Sequence, residues 1–384
     1  MSTASDINGQ PGISPAGFYG GESWGEWFDR HSRTYFIAPA VVLILVFAIF
    51  PTSYSIVFAL SRVKFTPNGL SFRFVWLQNF VKQFTGTEQA HFLGKITGLS
   101  VLGWLFSLIV AGMAIWWLYR SLSRTSWIGM VGRLISASVV TGLAFLLGAT
   151  LLSGNYWGTL LTTMFYVVVG CILQFVIGTG LAFLCSQPIA GKSVFRVLFF
   201  IPLMITPLGV GYAFKMILDI TKGPFQPFWD FIGLRDWAWS ADIWAARWFV
   251  VLGDSWQWIP FIFICMLAAL EAVPRDHVEA AQVDGASSVQ IFREITWPQI
   301  VPVAVTVILI RMIEAFKIVD LPNIMTGGGP GIATESMSLH AFYVWRANDY
   351  GQSAAIAYLL LILTVVICAS FFNYVVLGQL RKVR

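Results

Sequence analysis

Arg311, Glu314, Lys317 and Asp320 recur at every third position of a run that is otherwise apolar. If that run is helical, steps of three keep the four side chains on one slowly turning stripe, and alternating signs let neighbours neutralise one another. Charges in an apolar segment are costly and belong on a bundle interior or an aqueous path. Two chemistries fit. The stripe can be the polar wall of a path, where Glu314 and Lys317 bond the hydroxyls of a passing solute. It can equally be a ladder of internal ion pairs that fixes helix packing, the role that suits Arg311 best. Asp254, Trp256, Gln257 and Trp258 form a second group, in which aromatic faces beside polar atoms suit a pyranose ring. Trp at the end of a membrane span also serves as an interfacial anchor, so both readings stand. Lys215 and Asp219, four apart, read as a rim ion pair. Gln174 either lines the path or bonds a neighbouring helix.

Catalytic chemistry is poorly provided for. Gly191-Lys192-Ser193 resembles the end of a phosphate-binding loop, but Ser186 stands where such a loop needs its first glycine, and no strand precedes it. The expectation is that the chain hydrolyses no ATP and holds no cofactor or metal. His31, His91, His277 and His340 are too scattered in sequence to suggest a catalytic set. Cys171, Cys185, Cys265 and Cys368 show no CxxC spacing and read as small buried hydrophobes.

These side chains must be positioned by elements whose solvent is lipid. Of the 384 residues 57% are hydrophobic and 11% charged, against about 25% charged in soluble domains. The 17 Trp suit many membrane–water interfaces. The net charge of +5 is explained by cytoplasmic Lys and Arg, and no nucleic-acid partner is expected. A spanning helix needs about 20 apolar residues, and eight segments qualify: 36–60, 96–118, 132–153, 158–185, 195–218, 248–270, 299–322 and 354–377. Lys and Arg flanks (Arg30, Arg33, Arg120, Arg124, Arg133, Lys192, Arg196, Arg275, Arg293, Arg381, Lys382, Arg384) fall on one side if both termini are cytoplasmic. The 61–95 loop, with Arg62, Lys64, Arg73, Lys82 and Lys95, runs against that count. Residues 1–35 read as a polar cytoplasmic tail, in which 22–31 either forms a short interfacial helix or is a disordered anchor.

The longest loop on the expected cytoplasmic side, 273–298, is the most informative. Pro274 can start a helix, because its missing N–H costs nothing there. Glu279, Ala280 and Ala281 are strong helix formers. Gly285 ends or bends that helix, and Ser287 or Ser288 can cap a second one before Pro298 leads into the next span. The result is a compact helix–turn–helix on the membrane surface.

Glu279-Ala280-Ala281, three residues, Gly285, and Ile295-Thr296-Trp297-Pro298 ten residues on resemble the EAA loop of binding-protein-dependent ABC importer permeases. Trp297 departs from that family's usual leucine but remains apolar. Tyr156–Phe165, Gly180–Ala182, Gly191–Arg196, Trp256–Phe261, Ala315–Asp320, Met325–Pro330 and Thr334–Ser336 extend the resemblance over about 155–380, in the pattern of the carbohydrate-uptake, maltose-type branch. The resemblance implies an all-α polytopic protein of about eight transmembrane helices with a type I importer (MetI-like) core. It implies four parts: the tail 1–35, a first helix and outer loop 36–92, an inserted transmembrane hairpin 93–153, and the core 154–380 with its coupling loop 273–298.

It further implies that Glu279, Ala280, Ala281, Asp284 and Gly285 couple to an ATPase, Glu279 pairing with a basic group, the alanines allowing close approach and Gly285 the turn. Arg311, Glu314, Lys317, Asp320, Asp254, Trp256, Gln257 and Trp258 would lie along the solute pathway. The implied partners are a second homologous permease, an ATPase dimer that binds ATP and Mg, and a periplasmic or lipid-anchored solute-binding protein delivering a sugar-like solute. The glycine-rich 326–331 loop would touch that binding protein or simply need glycine's freedom. A glycerol phosphodiester or sulfonated sugar also suits the basic groups of the stripe. The rivals are an ion-coupled carrier, which needs no docking loop, and a membrane enzyme, which needs a clustered catalytic set.

Overall fold

The computed structural model describes residues 24–66, 69–121, 127–187, 191–234 and 237–373. Residues 1–23, Arg124, Arg381, Lys382 and Arg384, which carry parts of the tail and orientation expectations, lie outside the described residues. The chain divides into two compact units, residues 1–56 and 57–384. Among the described residues, seven helices are long and apolar enough to cross a membrane, or eight if one sharply bent pair is a single span.

In the first unit, α1 (Trp24–Ile44) runs into a π-helical turn (Leu45–Ile49) and then α2 (Phe50–Ala59), whose last three residues belong to the second unit. None of the residues in the π-turn is buried, as a helix facing lipid requires.

In the second unit, β1 (Ser61–Thr66) and β2 (Gly69–Phe74) form an antiparallel hairpin with Ser61 opposite Phe74. The all-α expectation did not include it. Asn79, in α3 (Gln78–Phe84), anchors the hairpin by donating to the carbonyls of Ala59 and Ser61 at 2.9 and 3.0 Å. A short helix α4 (Thr87–Phe92) follows. The expected loop 61–95 is thus folded.

α5 (Val101–Ser121) and α6 (Trp127–Thr150) form a helical hairpin. A Cβ on Gly103 would lie 2.5 Å from the Gly148 carbonyl oxygen, so the two backbones touch, the small-residue packing that lipid favours because no hydrophobic force joins helices there. The chain enters this hairpin at Gly94 and leaves it at Trp157, and those two residues pair in an isolated antiparallel bridge.

α7 (Thr159–Ser186) and α11 (Ile243–Glu271) are the central pair. Gly178 permits their approach: a Cβ there would sit 2.9 Å from the Ile262 side chain. Around it Ala182, Phe263, Met266, Ile300 and Ala304 form one buried cluster. Gly178→Val is expected to cost about 1–3 kcal/mol by overpacking this crossing, seen as a lower melting temperature in detergent; an unchanged melting temperature would show that the crossing relaxes freely.

Between the two, α8 (Lys192–Phe200) and a 3₁₀ turn (Ile201–Met204) precede α9 (Pro207–Ile217). The sequence reading took 195–218 as one proline-tolerant span. The segment instead bends by 100° between Met204 and Pro207. The residue before a proline is pushed out of the helical region, and Thr206 is extended (ψ 146°) while its side chain caps α9 at Gly209 N–H. α10 (Gln226–Phe231) and a 3₁₀ turn (Trp239–Ala241) lead to α11, whose N-terminus Asp242 caps.

Beyond α11, α12 (Arg275–Val283) and α13 (Ser288–Ile291) form the expected helix pair. A π-turn (Phe292–Thr296) joins them to α14 (Trp297–Phe316). Then α15 (Asp320–Thr326) and α16 (Met337–Arg346) pack at the far end, and α17 (Tyr350–Phe371) returns.

Candidate functional site

Two features stand apart: an exposed helix pair at one end of the second unit, and a buried polar cluster between α7, α11 and α14.

The helix pair is built by local chemistry. Pro274 is the residue before the first helical turn rather than its first member, and α12 starts at Arg275. α12 ends in a Schellman arrangement: Gly285 N–H donates to Gln282 O (3.1 Å), Ala286 N–H to Ala281 O (2.9 Å), and Gly285 takes φ +81°, which a Cβ would strain. Of the two candidate caps, Ser287 is the one used. It forms a capping box with Gln290, whose Oε1 accepts from Ser287 N–H at 2.8 Å. Glu279, Ala280 and Asp284 are exposed, and Ala281 is half-buried. Val283 and Val289 are 88% and 75% exposed, so two apolar side chains at one end of the unit stay uncovered among the described residues. Phe292 anchors the pair's base by edge contacts to Phe183 and a tilted one to Trp297.

The buried cluster centres on Arg311, which is 1% exposed. Its Nε donates to Gln174 Oε1 at 2.5 Å, its Nη2 donates to Asp254 Oδ2, and its guanidinium lies 4.8 Å from the Trp258 ring centre. Gln174 Nε2 also donates to Asp254 Oδ2 at 2.8 Å. One arginine therefore ties α14 to both central helices. Gln174, left open by the sequence, bonds neighbouring helices here.

The expected four-member stripe does not form. α14 ends at Phe316, Lys317 is its C-cap, and Asp320 begins α15, so helical spacing stops before the third and fourth members. Arg311 pairs across helices, whereas Glu314 accepts from Lys317 Nζ at 2.7 Å on a part-exposed surface. The Trp256 region also differs from the anchor reading: in a helix running from Ile243 to Glu271 it lies near the middle. There Gln257 Nε2 donates to Ile205 O at 2.8 Å, satisfying a carbonyl freed by the bend before Pro207. Trp256 packs edge-on to Phe214. Asp219 Oδ1 caps its own turn through the Thr221 and Lys222 N–H groups and the Thr221 hydroxyl, and makes no ion pair with Lys215 among the described residues. Those hydrogen bonds hold its carboxyl below the usual range.

At the other end lies a cavity of about 690 Å³ lined in part by Trp157, Trp244, Arg247 and Gly331. Arg247 lies 4.0 Å from the Trp157 ring centre and 5.2 Å from that of Trp244, while its Nε donates to Ala333 O at 2.7 Å. The sequence reading missed it, although an arginine three residues after a tryptophan in an apolar run was a visible signal. Gly327 and Gly328 have positive φ (+64° and +85°), so the 326–331 segment uses glycine's freedom, whatever else it touches.

Residues 174–382 match the family model described as binding-protein-dependent transport system inner membrane component. The trehalose/maltose transport system permease protein of Thermococcus litoralis is 33% identical over 198 residues, covering 51% of this chain and 66% of that protein. The multiple sugar-binding transport system permease protein of Streptococcus mutans is 31% identical over 186 residues, covering 46% of this chain and 61% of that one. The chain thus spans less than two thirds of each of these curated relatives. In fold, it is similar to a chain of a bacterial alginate ABC transporter crystallised with an alginate pentasaccharide-bound periplasmic protein. That likeness has a TM-score of 0.59 at 15% identity and covers 92% of this chain and 97% of the other.

Proposed function

The chain belongs to the binding-protein-dependent transport system inner membrane component family, and we propose that it is the permease subunit of an ATP-driven importer of a sugar or sugar-derived solute. The observation that carries this reading is the exposed α12–α13 pair. Its ends are fixed by a Schellman turn and a capping box, yet Glu279, Val283 and Val289 are exposed among the described residues. A rigid, outward-facing lever suits docking to a separate motor subunit.

In this reading Glu279, Ala280, Ala281, Asp284 and Gly285 seat in an ATPase of a dimer that binds ATP and Mg. A second, homologous permease completes the pathway, and an extracytoplasmic binding protein delivers the solute. The chain is a multi-pass membrane protein, and the coupling loop and both termini are cytoplasmic. α13 continues through the π-turn into α14, so a pull on the lever reaches Arg311 along one backbone. Glu314, Lys317 and Asp320, partly or fully accessible, are the solute contacts, with Trp256 and Trp258 beside them. Arg311, Asp254 and Gln257 are buried and hold the helices that frame the path. The tail 1–35, the 36–92 segment, the hairpin 93–153 and the core 154–380 are the parts of this subunit. The sugar assignment draws on the two relatives named for sugar transport.

Two steps test the reading. The cognate binding protein is screened by calorimetry against maltose-type oligosaccharides, sulfonated sugars and glycerol phosphodiesters. The assembled complex is then reconstituted in liposomes with that binding protein and its solute. ATP-dependent accumulation of the solute is the expected result. Accumulation driven by an ion gradient without ATP would overturn the importer reading, and a complex specific for a solute with no sugar part would overturn the sugar assignment.

A further inference from the structure

His91 and His340, 249 positions apart by their numbers, lie with ring centres 4.0 Å apart and planes tilted by 34° at the end of the second unit opposite the α12–α13 pair. A single oxygen, Glu335 Oε1, bridges them, lying 2.9 Å from His340 Nδ1 and 3.0 Å from His91 Nε2. Glu335 and His340 are each 4% exposed.

Each of the two ring nitrogens lies within hydrogen-bond distance of that one oxygen, which can accept from a ring N–H. His340 faces Glu335 through Nδ1, so the other ring nitrogen, Nε2, is turned away from that carboxylate. That atom is buried and has no hydrogen-bond partner, a costly state for a polar group. It points toward Glu88 Oε2, 4.0 Å away. Glu88 and His91 are one helical turn apart on α4 and so share a face. One ligand atom from each of Glu88, His91 and His340 lies within 4.8 Å of the others. Two metal–ligand bonds of about 2.1 Å reach across at most about 4.2 Å, a span that His340 Nε2 and Glu88 Oε2 already meet at 4.0 Å.

We propose that Glu88, His91 and His340 form a binding site for a divalent transition metal of the zinc class, with Glu335 as the positioning carboxylate behind both histidines. Imidazole and carboxylate ligands suit zinc rather than calcium or magnesium, which take oxygen ligands in larger or octahedral sets. A carboxylate on the far nitrogen of a ligating histidine fixes its tautomer and raises its basicity. The site joins α4 to the 333–336 segment, whose Ala333 and Thr334 carbonyls accept from Arg247 and Tyr166. A bound metal would therefore brace the end of the unit that carries the Trp157–Arg247 cavity.

The test is a zinc titration of the full-length chain, purified in detergent without a histidine tag, read by competition with a chromophoric chelator and by elemental analysis. The expected result is roughly one tightly held zinc per chain, undisturbed by excess magnesium or calcium. His340→Gln should abolish it, and Glu335→Gln should weaken it roughly 10–100-fold. Glu88→Gln, at a part-exposed position, should also lose zinc while keeping the wild-type melting temperature, which guards against a folding defect in the His340 variant. X-ray absorption should show two imidazoles among nitrogen and oxygen ligands. Equal zinc in wild type and the Glu88→Gln variant, displacement by magnesium, or an absorption spectrum without imidazole would each overturn the proposal.

Discussion

Glu279→Lys abolishes solute uptake while the protein inserts, folds and purifies as before. Glu279 is exposed on α12 and makes no hydrogen bond or ion pair among the described residues, so reversing its charge leaves fold stability within about 0.5 kcal/mol. Its effect falls on a partner. Reversing one member of a close interfacial charge pair costs about 2–5 kcal/mol, which is a loss of roughly thirtyfold or more in affinity. The readouts are ATPase co-purification, which should drop, and ATP-driven uptake in liposomes, which should fall to background. Val283→Asp, at a side chain 88% exposed, should act in the same direction through lost apolar contact. Normal uptake by the Glu279 variant would remove the docking role from this helix.

Arg311→Met is the most damaging single change expected within the fold. It leaves the Asp254 carboxylate buried beside Gln174 with its cation gone. Breaking a buried ion pair from one side costs about 3–5 kcal/mol, because an uncompensated charge stays behind. The three helices α7, α11 and α14 also lose their shared cross-link. The expected outcome is a large fall in melting temperature and poor yield from the membrane. Asp254→Asn added to Arg311→Met should recover much of that loss, since the orphaned charge disappears while the amide can still accept from Gln174. If the single variant melts like the wild type, the cluster carries little of the packing between these helices, and Arg311 returns to the list of solute contacts.

The sequence by itself determined the lipid environment, the positions of nearly all the spans and the α12–α13 helix pair. Each of these is local. Apolar run length sets a span, and a proline, a glycine and a Ser–Gln pair within twenty residues of one another set the α12–α13 turn. The bend before Pro207 was also written locally, in a residue that proline forces out of helix, but tolerance of proline in membranes masked it.

What only the tertiary structure decided is which polar groups meet. Even spacing suggested that Arg311, Glu314, Lys317 and Asp320 would neutralise one another along a stripe. The helix stops at Phe316, and Arg311 instead reaches Asp254 and Gln174 on other helices. The histidines that looked scattered were brought together in the same way: His91 lies on a short helix before the hairpin and His340 on one after the core spans, and both reach the single carboxylate of Glu335. A buried charge takes whichever partner lies within hydrogen-bond distance, because leaving it unpaired costs more than any local preference can return. That distance depends on how helices pack, and no spacing along one chain records it.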